Sequence, residues 1–327
     1  MLKYIVRRLL LIIPVLLGAI IIIFTINYFS TTNPAMIKLG LSANDPVLLA
    51  EMEHEMGLDR PYIVQLGSYL WDLLHGDLGD SYIYSSTVAQ LIGGRIPNTL
   101  ILSIGAILIS ICVGIPLGLA AALHQNSIID YITSILAILL NAIPGFLIGV
   151  VLMQVFGVAL GWLPVSGVDS WQGYILPIIA AGVGPISQNA RMTRSSVLEV
   201  IRQDYIRTAR AKGQNELTIT IRHELRNALI PIISSISSQL GSALGGALII
   251  ENIFGIPGIG KYVTDAISAR NFPAVQGGVI ILAVTYTIVN LAADLSYTLV
   301  NPSLKTEFAS GSKRKKKKAA LAAEEGA

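Results

Sequence analysis

Charge is scarce in this sequence. Only 13% of its 327 residues are Asp, Glu, Lys or Arg, and 53% are hydrophobic. Soluble domains carry about 25% charged residues, so a water-soluble fold is excluded and the mean hydropathy of +0.65 marks an integral membrane protein. Cysteine is nearly absent. Cys112 stands alone in an apolar run, which excludes a disulfide framework and a thiol metal site and predicts a packed small side chain. No His/Cys cluster has metal-ligand spacing and no nucleophile–base pair stands out, so catalysis by this chain is not expected. The apolar blocks carry almost no ionisable residue in their interiors; Glu251 and Asp294 lie near block ends. Ion-coupled transporters need charged or polar relays at the midplane, so this absence counts against a secondary transporter or channel. A net charge of +3 says little as a total, and no nucleic-acid partner is expected.

Long apolar runs are what the chain has instead. The first, Leu9 to about Phe29, follows a basic start but is too long for a signal-peptide core and lacks a cleavage site. It reads as a retained transmembrane helix, and blocks follow at 97–123, 131–157, 174–193, 229–250 and 277–300. The expectation is an all-α polytopic protein with six spans. Their connections alternate in charge. The loop from Ser30 to Arg95 is acidic, whereas the start (Lys3, Arg7, Arg8), the loop from Arg191 to Arg226 and the tail (Lys305, Lys313 to Lys318) are basic. Both termini are therefore expected in the cytoplasm. The acidic outer loop carries helix signals: Asp45-Pro46 opening a helix that Gly57 closes, Pro61 starting another that ends near Gly76, and Thr87 capping a third. Gly114/Gly118, Gly145/Gly149 and Gly241/Gly245 allow close helix approach, and Pro116, Pro144 and Pro177 are expected to kink their helices.

Two polar stretches carry the information. In the first, Val200 to Lys212 predicts an amphipathic helix with Val200, Ile201, Tyr205, Thr208 and Ala209 near one face, stopped by Gly213. A return segment containing His223, Glu224, Arg226 and Asn227 leads back to the membrane at Pro231. In the second, GIPGIGK (255–261) nearly fits a phosphate loop, but Tyr262 stands where Ser or Thr is required and a transmembrane helix precedes it, so a nucleotide site is rejected. A Gly/Pro-rich re-entrant turn with a short helix is expected there.

ARAKG (209–213) followed by RHELRNALIP (222–231) resembles the cytoplasmic loop of ABC-importer permease subunits, closest to the dipeptide, oligopeptide and nickel branch. The resemblance covers nearly the whole chain. It extends from LKYIVRRLLLIIPVLLG (2–18), through GLDRPYIVQ (57–65) and GDLGDS (76–81), to DLSYTLVNP (294–302), and it fits the first-permease type with a large outer loop. Arg207 and Thr208 depart from the family's general loop pattern, in which a glutamate precedes the alanine. The resemblance implies the type I importer permease fold. It also implies a coupling helix, with Tyr205, Arg207, Ala209, Arg210, Ala211, Lys212 and Gly213 as ATPase-coupling candidates, followed by the return segment His223, Arg226, Asn227 and Pro231. Glu251, Phe254, Pro257, Gly258 and Gly260 match the family's E-x-x-F-x-x-P-G-x-G segment and are assigned to the outer gate facing the binding protein.

The implied organisation is residues 1–30 as N-terminus and first helix, 31–96 as an extracytoplasmic lid, 97–300 as the permease core with its coupling loop at 194–228, and 301–327 as a basic tail. The implied function is one permease subunit of an ATP-driven, binding-protein-dependent importer in the bacterial inner membrane. Partners would be a homologous second permease, two ABC ATPases, a solute-binding protein and membrane lipid. No cofactor is expected on this chain, with ATP and Mg held by the ATPases. Dipeptides or oligopeptides are the expected solutes, with nickel or another small solute as the alternative.

Overall fold

The computed structural model describes residues 2–300, with side chains described for Leu10 and for residues 13–292. The basic tail and the side chains of Lys3, Arg7, Arg8 and Asp294 lie outside the described residues. Among the described residues every regular element is helical, apart from an isolated antiparallel bridge between Asp80 and Thr87. Helix α1 (Leu2–Tyr28) is followed by a loop holding α2 (Pro34–Leu39), α3 (Pro46–Glu55), α4 (Tyr62–Leu74) and α5 (Val88–Gly93). Then come α6 (Ile96–Leu123), α7 (Ile128–Ala142), α8 (Gly145–Leu152) with a π-helical extension to Ala159, and α9 (Ile175–Ile201). The short α10 (Asp204–Ala211) and α11 (Glu216–Thr218) precede a π-helical turn, Ile219–Leu225, that runs into α12 (Arg226–Phe254). Last are α13 (Ile259–Ser268) and α14 (Phe272–Val300).

All six apolar blocks are helical in their expected places. Three helices among the described residues are long and apolar enough to cross a bilayer: Val88–Leu123, Glu216–Phe254 and Phe272–Ala292. The block at 131–157 bends at Pro144, where a kink is expected, but so sharply that it divides into two helices. Ile128–Ala142 and Gly145–Ala159 are bent by 98° and make a fourth crossing only as a broken one. Pro144 causes the break, because it forces Ile143 into an extended conformation (ψ 125°) and supplies no N–H to continue the ladder. Helix α9 is 27 residues long, but Ser187, Gln188, Asn189 and Arg191 interrupt its apolar course. Within α1, Ile13–Tyr28 forms a shorter apolar helix. Pro177 does not kink α9; it sits in the first turn, where N–H groups have no intrahelical partner anyway. Among the described residues the interior ones are Pro14, Pro116, Pro185 and Pro231.

Helices α6, α9 and α12 form the centre. A Cβ on Gly114 would lie 2.7 Å from the Ile186 carbonyl oxygen, and one on Gly118 would press on the Ala190 carbonyl and Thr193. Backbones at that range pack by dispersion with no side chain between them. Of the Gly241/Gly245 pair, only Gly241 faces a neighbour, with Tyr286 and Asn290 2.8 Å from its would-be Cβ. A buried amide network joins the three helices. Asn189 Nδ2 donates to Ser110 Oγ (2.9 Å), and Gln239 Nε2 donates to Asn189 Oδ1 (2.7 Å) and Ser235 Oγ (3.0 Å). Cys112 is exposed on α6 rather than packed, which corrects the expectation drawn from its apolar neighbours.

The long loop is held from both ends. Asp45 Oδ1 caps α3 by accepting from Val47 N (2.9 Å) and Leu48 N (3.4 Å), and Thr87 Oγ1 caps α5 through Gln90 N (3.3 Å). Val88 and Ile92 of α5 are buried against Ile259, Tyr262 and Val263 of α13 and Ala274 of α14. Asn271 fastens the strap before them, accepting from Tyr82 N (3.1 Å) and donating to Ser81 Oγ (2.7 Å).

Candidate functional site

The expected amphipathic helix starts later than its apolar spacing implied. Val200 and Ile201 end α9; the chain turns at Arg202, and an extended Gln203 (φ −76°, ψ 147°) caps α10. Asp204 then stands in the first turn, where a carboxylate suits the helix dipole. The inward pair is Ile206 and Ala209, buried with Ile219, and Val200 packs on them. Tyr205 and Thr208, expected on that face, are exposed instead. The stop is as expected. Gly213 has φ +72°, with Gly213 N donating to Arg210 O (2.9 Å) and Gln214 N to Ala209 O (3.3 Å). This is the two-bond Schellman closure, which a residue without a Cβ permits at little cost.

One charged cluster fixes α10 to the start of α12. Arg210 donates to both Glu216 oxygens (2.9 and 3.2 Å) and, through Nη2, to Glu224 Oε1 at 3.1 Å. Glu224 is fully buried, so Arg210, itself 40% exposed, anchors the helix from behind. Its hydrogen bond to Glu216 holds the guanidinium even above its usual high range. Partial burial, with the Glu224 carboxyl beside it, raises the Tyr205 phenol above its ordinary value. His223 Nε2 meets Gln214 Oε1 at 2.9 Å, and Asn227 Nδ2 donates to His223 O at 2.6 Å, so the return residues lace the loop closed. Arg226 is exposed, and Pro231 lies inside α12 rather than marking a turn. Tyr205, Arg207, Ala211 and Lys212 are left on the surface.

Arg210→Ala and Arg207→Ala should therefore differ. Removing one partner of a fully buried pair costs about 3–5 kcal/mol. Arg210 is itself 40% exposed, and solvent screening reduces that to about 1–2 kcal/mol. Arg207, exposed and without a partner among the described residues, should fall within about 0.5 kcal/mol. Thermal unfolding of the full chain checks this, and equal losses would remove the anchoring role of Arg210.

The second expected cluster is assembled around one carboxyl. Glu251 is fully buried in the last turn of α12. Its Oε1 accepts from Thr99 Oγ1 (2.6 Å), and its Oε2 accepts from Lys261 N (2.9 Å), with Gly260 N also directed at it. Thr99 Oγ1 accepts in turn from Ile259 N at 2.9 Å. The Glu251 side chain thus caps the ten-residue α13, satisfying donors that no helical carbonyl reaches. The two glycines follow from the same packing. A Cβ on Gly258 would fall on the Glu251 carboxyl, and one on Gly260 would lie 2.6 Å from Leu248 Cα. Phe254 is buried against Gly149 of α8, and exposed Pro257 offers its carbonyl to Asn98 Nδ2 (2.9 Å). Lys261 Nζ pairs with Asp265 at 2.9 Å, within the helix rather than around a phosphate.

The two clusters lie at opposite ends of α12. From Arg226 to Glu251 the helix rises about 38 Å at about 1.5 Å per residue, more than a hydrocarbon core of about 30 Å. Sequence reasoning missed Thr99, Asn98, Ile206 and the Arg210–Glu224 pair. Only Ile206, three residues before Ala209, left a local signal.

Comparisons with known proteins follow the same lines. A family model described as "Binding-protein-dependent transport system inner membrane component" matches residues 114–306. A second, for the N-terminal part of such membrane components, matches residues 1–103. The chain is 37% identical over 305 residues to the glutathione transport system permease protein GsiC of Salmonella typhi, covering 93% of this chain and 99% of that one. It is 38% identical over 333 residues to the dipeptide transport system permease protein DppB of Alkalihalophilus pseudofirmus, covering 93% and 100%. Among solved structures, inward-facing MetNI methionine ABC transporter aligns with TM-score 0.54 and 18% identity over 65% of this chain and 97% of that one, a likeness of fold.

Proposed function

The chain belongs to the family of binding-protein-dependent transport system inner membrane components, the permease subunits of ABC importers, and from that membership we propose that it forms half of a path for short peptides. It is a multi-pass transport subunit of the inner membrane. In this reading both termini and α10 face the cytoplasm, the lid and the Glu251 turn face outward, and no cofactor binds this chain. Two ABC ATPases hold ATP and Mg and hydrolyse the nucleotide. A homologous permease supplies the other half of the path, and a solute-binding protein delivers the solute to the outer face. Short peptides are favoured because relatives aligned over 93% of the chain are named for glutathione and for dipeptides.

The observation that carries the coupling role is α10. Its exposed Tyr205, Arg207, Ala211 and Lys212 are presented on a helix held rigidly from behind by Ile206, Ala209 and Arg210. A push there reaches α12 without bending the loop. Gly213→Val tests this, since the position has φ +72° with open space around it. The substitution would act through backbone strain of about 1–2 kcal/mol and not through a clash. Peptide uptake by the assembled transporter is expected to fall about tenfold while ATP hydrolysis and membrane insertion persist, and Gly213→Asn, which tolerates left-handed φ, should recover most of it. Normal uptake by the valine variant would overturn the docking assignment. Competition of dipeptides, glutathione and nickel for uptake then decides the solute.

A further inference from the structure

Helix α4 spans 13 residues, about 20 Å at about 1.5 Å per residue, too short to cross a bilayer. One flank is pinned to the end of α1. Tyr62 Oη lies 2.7 Å from Thr25 Oγ1, the Tyr62 ring sits 5.0 Å from Tyr28 and 5.7 Å from Phe24, and Tyr69 stacks on Phe24 at 5.5 Å. The opposite flank is apolar and uncovered. Ile63, Trp71 and Leu74 are 79%, 64% and 81% exposed, with Val64 at 46% beside them. Their positions recur at helical spacing, so they form one stripe and not scattered exposures. Asp72 is the single charged residue of α4; of the loop's other acids, Asp45, Glu51, Glu53, Glu55 and Asp59 lie on or beside α3, and Asp77 and Asp80 follow α4. The acids thus lie on both sides of α4 along the chain, and the stripe itself carries none.

We propose that the apolar flank of α4 rests in the bilayer interface, making α4 an in-plane helix that seats the lid on the lipid. Three observations favour lipid over a protein partner. Tyr62 and Tyr69 fix α4 against the C-terminal end of α1, whose Ile22 and Ile26 are themselves 62% and 64% exposed, so the stripe lies beside a helix with an apolar outer face of its own. The stripe has no charge of its own to confer specificity for a protein. It carries a tryptophan, the side chain that settles at headgroup depth, on a helix whose exposed apolar residues are gathered on one face. The inference rests on the membrane reading of α1 and not on the solute or on coupling.

The test uses the full chain in phosphatidylcholine vesicles with brominated acyl chains. Trp162→Phe and Trp171→Phe leave Trp71 as the sole tryptophan. An independent version places a fluorophore on Leu74→Cys in a Cys112→Ser background, so that poor folding of one variant does not decide the outcome. Either probe is expected to lose about half its emission to bromines near the headgroup end of the chain, less to deeper ones, and little to aqueous iodide. A probe on Ile22→Cys should be quenched by bromolipid throughout. Iodide access without bromolipid quenching at Trp71 and Leu74, with Ile22 quenched, overturns the inference and leaves the membrane reading intact. Shielding that appears only on adding the purified binding protein gives the stripe to that partner and overturns it likewise. An unquenched Ile22 probe overturns both.

Discussion

Glu251→Ala is expected to cost about 3 kcal/mol or more and to lower both the yield and the thermal midpoint of the full chain. The carboxyl is fully buried and is the acceptor for Thr99 Oγ1 and for the backbone N–H groups of Gly260 and Lys261. Alanine leaves the two backbone donors of α13's first turn without their acceptor. Each orphaned buried donor costs about 1–3 kcal/mol. The Gly258 and Gly260 backbones close over the carboxyl, so the loss also removes what they pack against. Glu251→Gln separates hydrogen bonding from volume. Its amide oxygen can still take the two N–H groups, while its NH2 must face Thr99 Oγ1, so about half the loss should return. The check is thermal unfolding in detergent. Near-native stability for alanine would show that the α12–α13 junction is held by its apolar neighbours and not by this acceptor.

Gly118→Val should be comparably damaging for a different reason. The first added atom would land on the Ala190 carbonyl oxygen and the Thr193 side chain, and the carbonyl belongs to a helix that cannot step aside alone. Overpacking a close-packed contact costs about 1–3 kcal/mol and more when backbone must move, and two further methyl groups put this case at the upper end. Gly245→Val is the matched control, since the space around that glycine is open; helix propensity there changes little and favours valine if anything. Unfolding of both variants measured side by side tests the claim. Equal stability would mean that Gly118 does not set the distance between α6 and α9.

What the sequence made legible was local. Gly213 ends α10, Asp45 and Thr87 cap their helices, and the apolar blocks lie where hydropathy put them. The start of α10 was hidden because Val200 and Ile201 keep the apolar spacing running across a turn that no proline or glycine marks. Pro144 announced a kink, but not that the two halves would stand 98° apart, since that angle depends on what each half packs against. The contacts that give the motifs their meaning were out of reach altogether. Thr99 meets Glu251 across 152 positions, and Arg210 meets Glu224 across 14, with no periodicity linking either pair.

The amide network among Ser110, Asn189, Gln239 and Ser235 bears on how the bundle can move. Sliding α6, α9 or α12 past one another would break these buried bonds together. The bonds therefore resist relative sliding of the three helices, and Arg210, gripping Glu224 just ahead of α12, ties α10 to the same block. The elbow between Ile143 and Pro144 carries no such cross-links in the helical ladder, which is already open there, so a bend at that point breaks no backbone hydrogen bond.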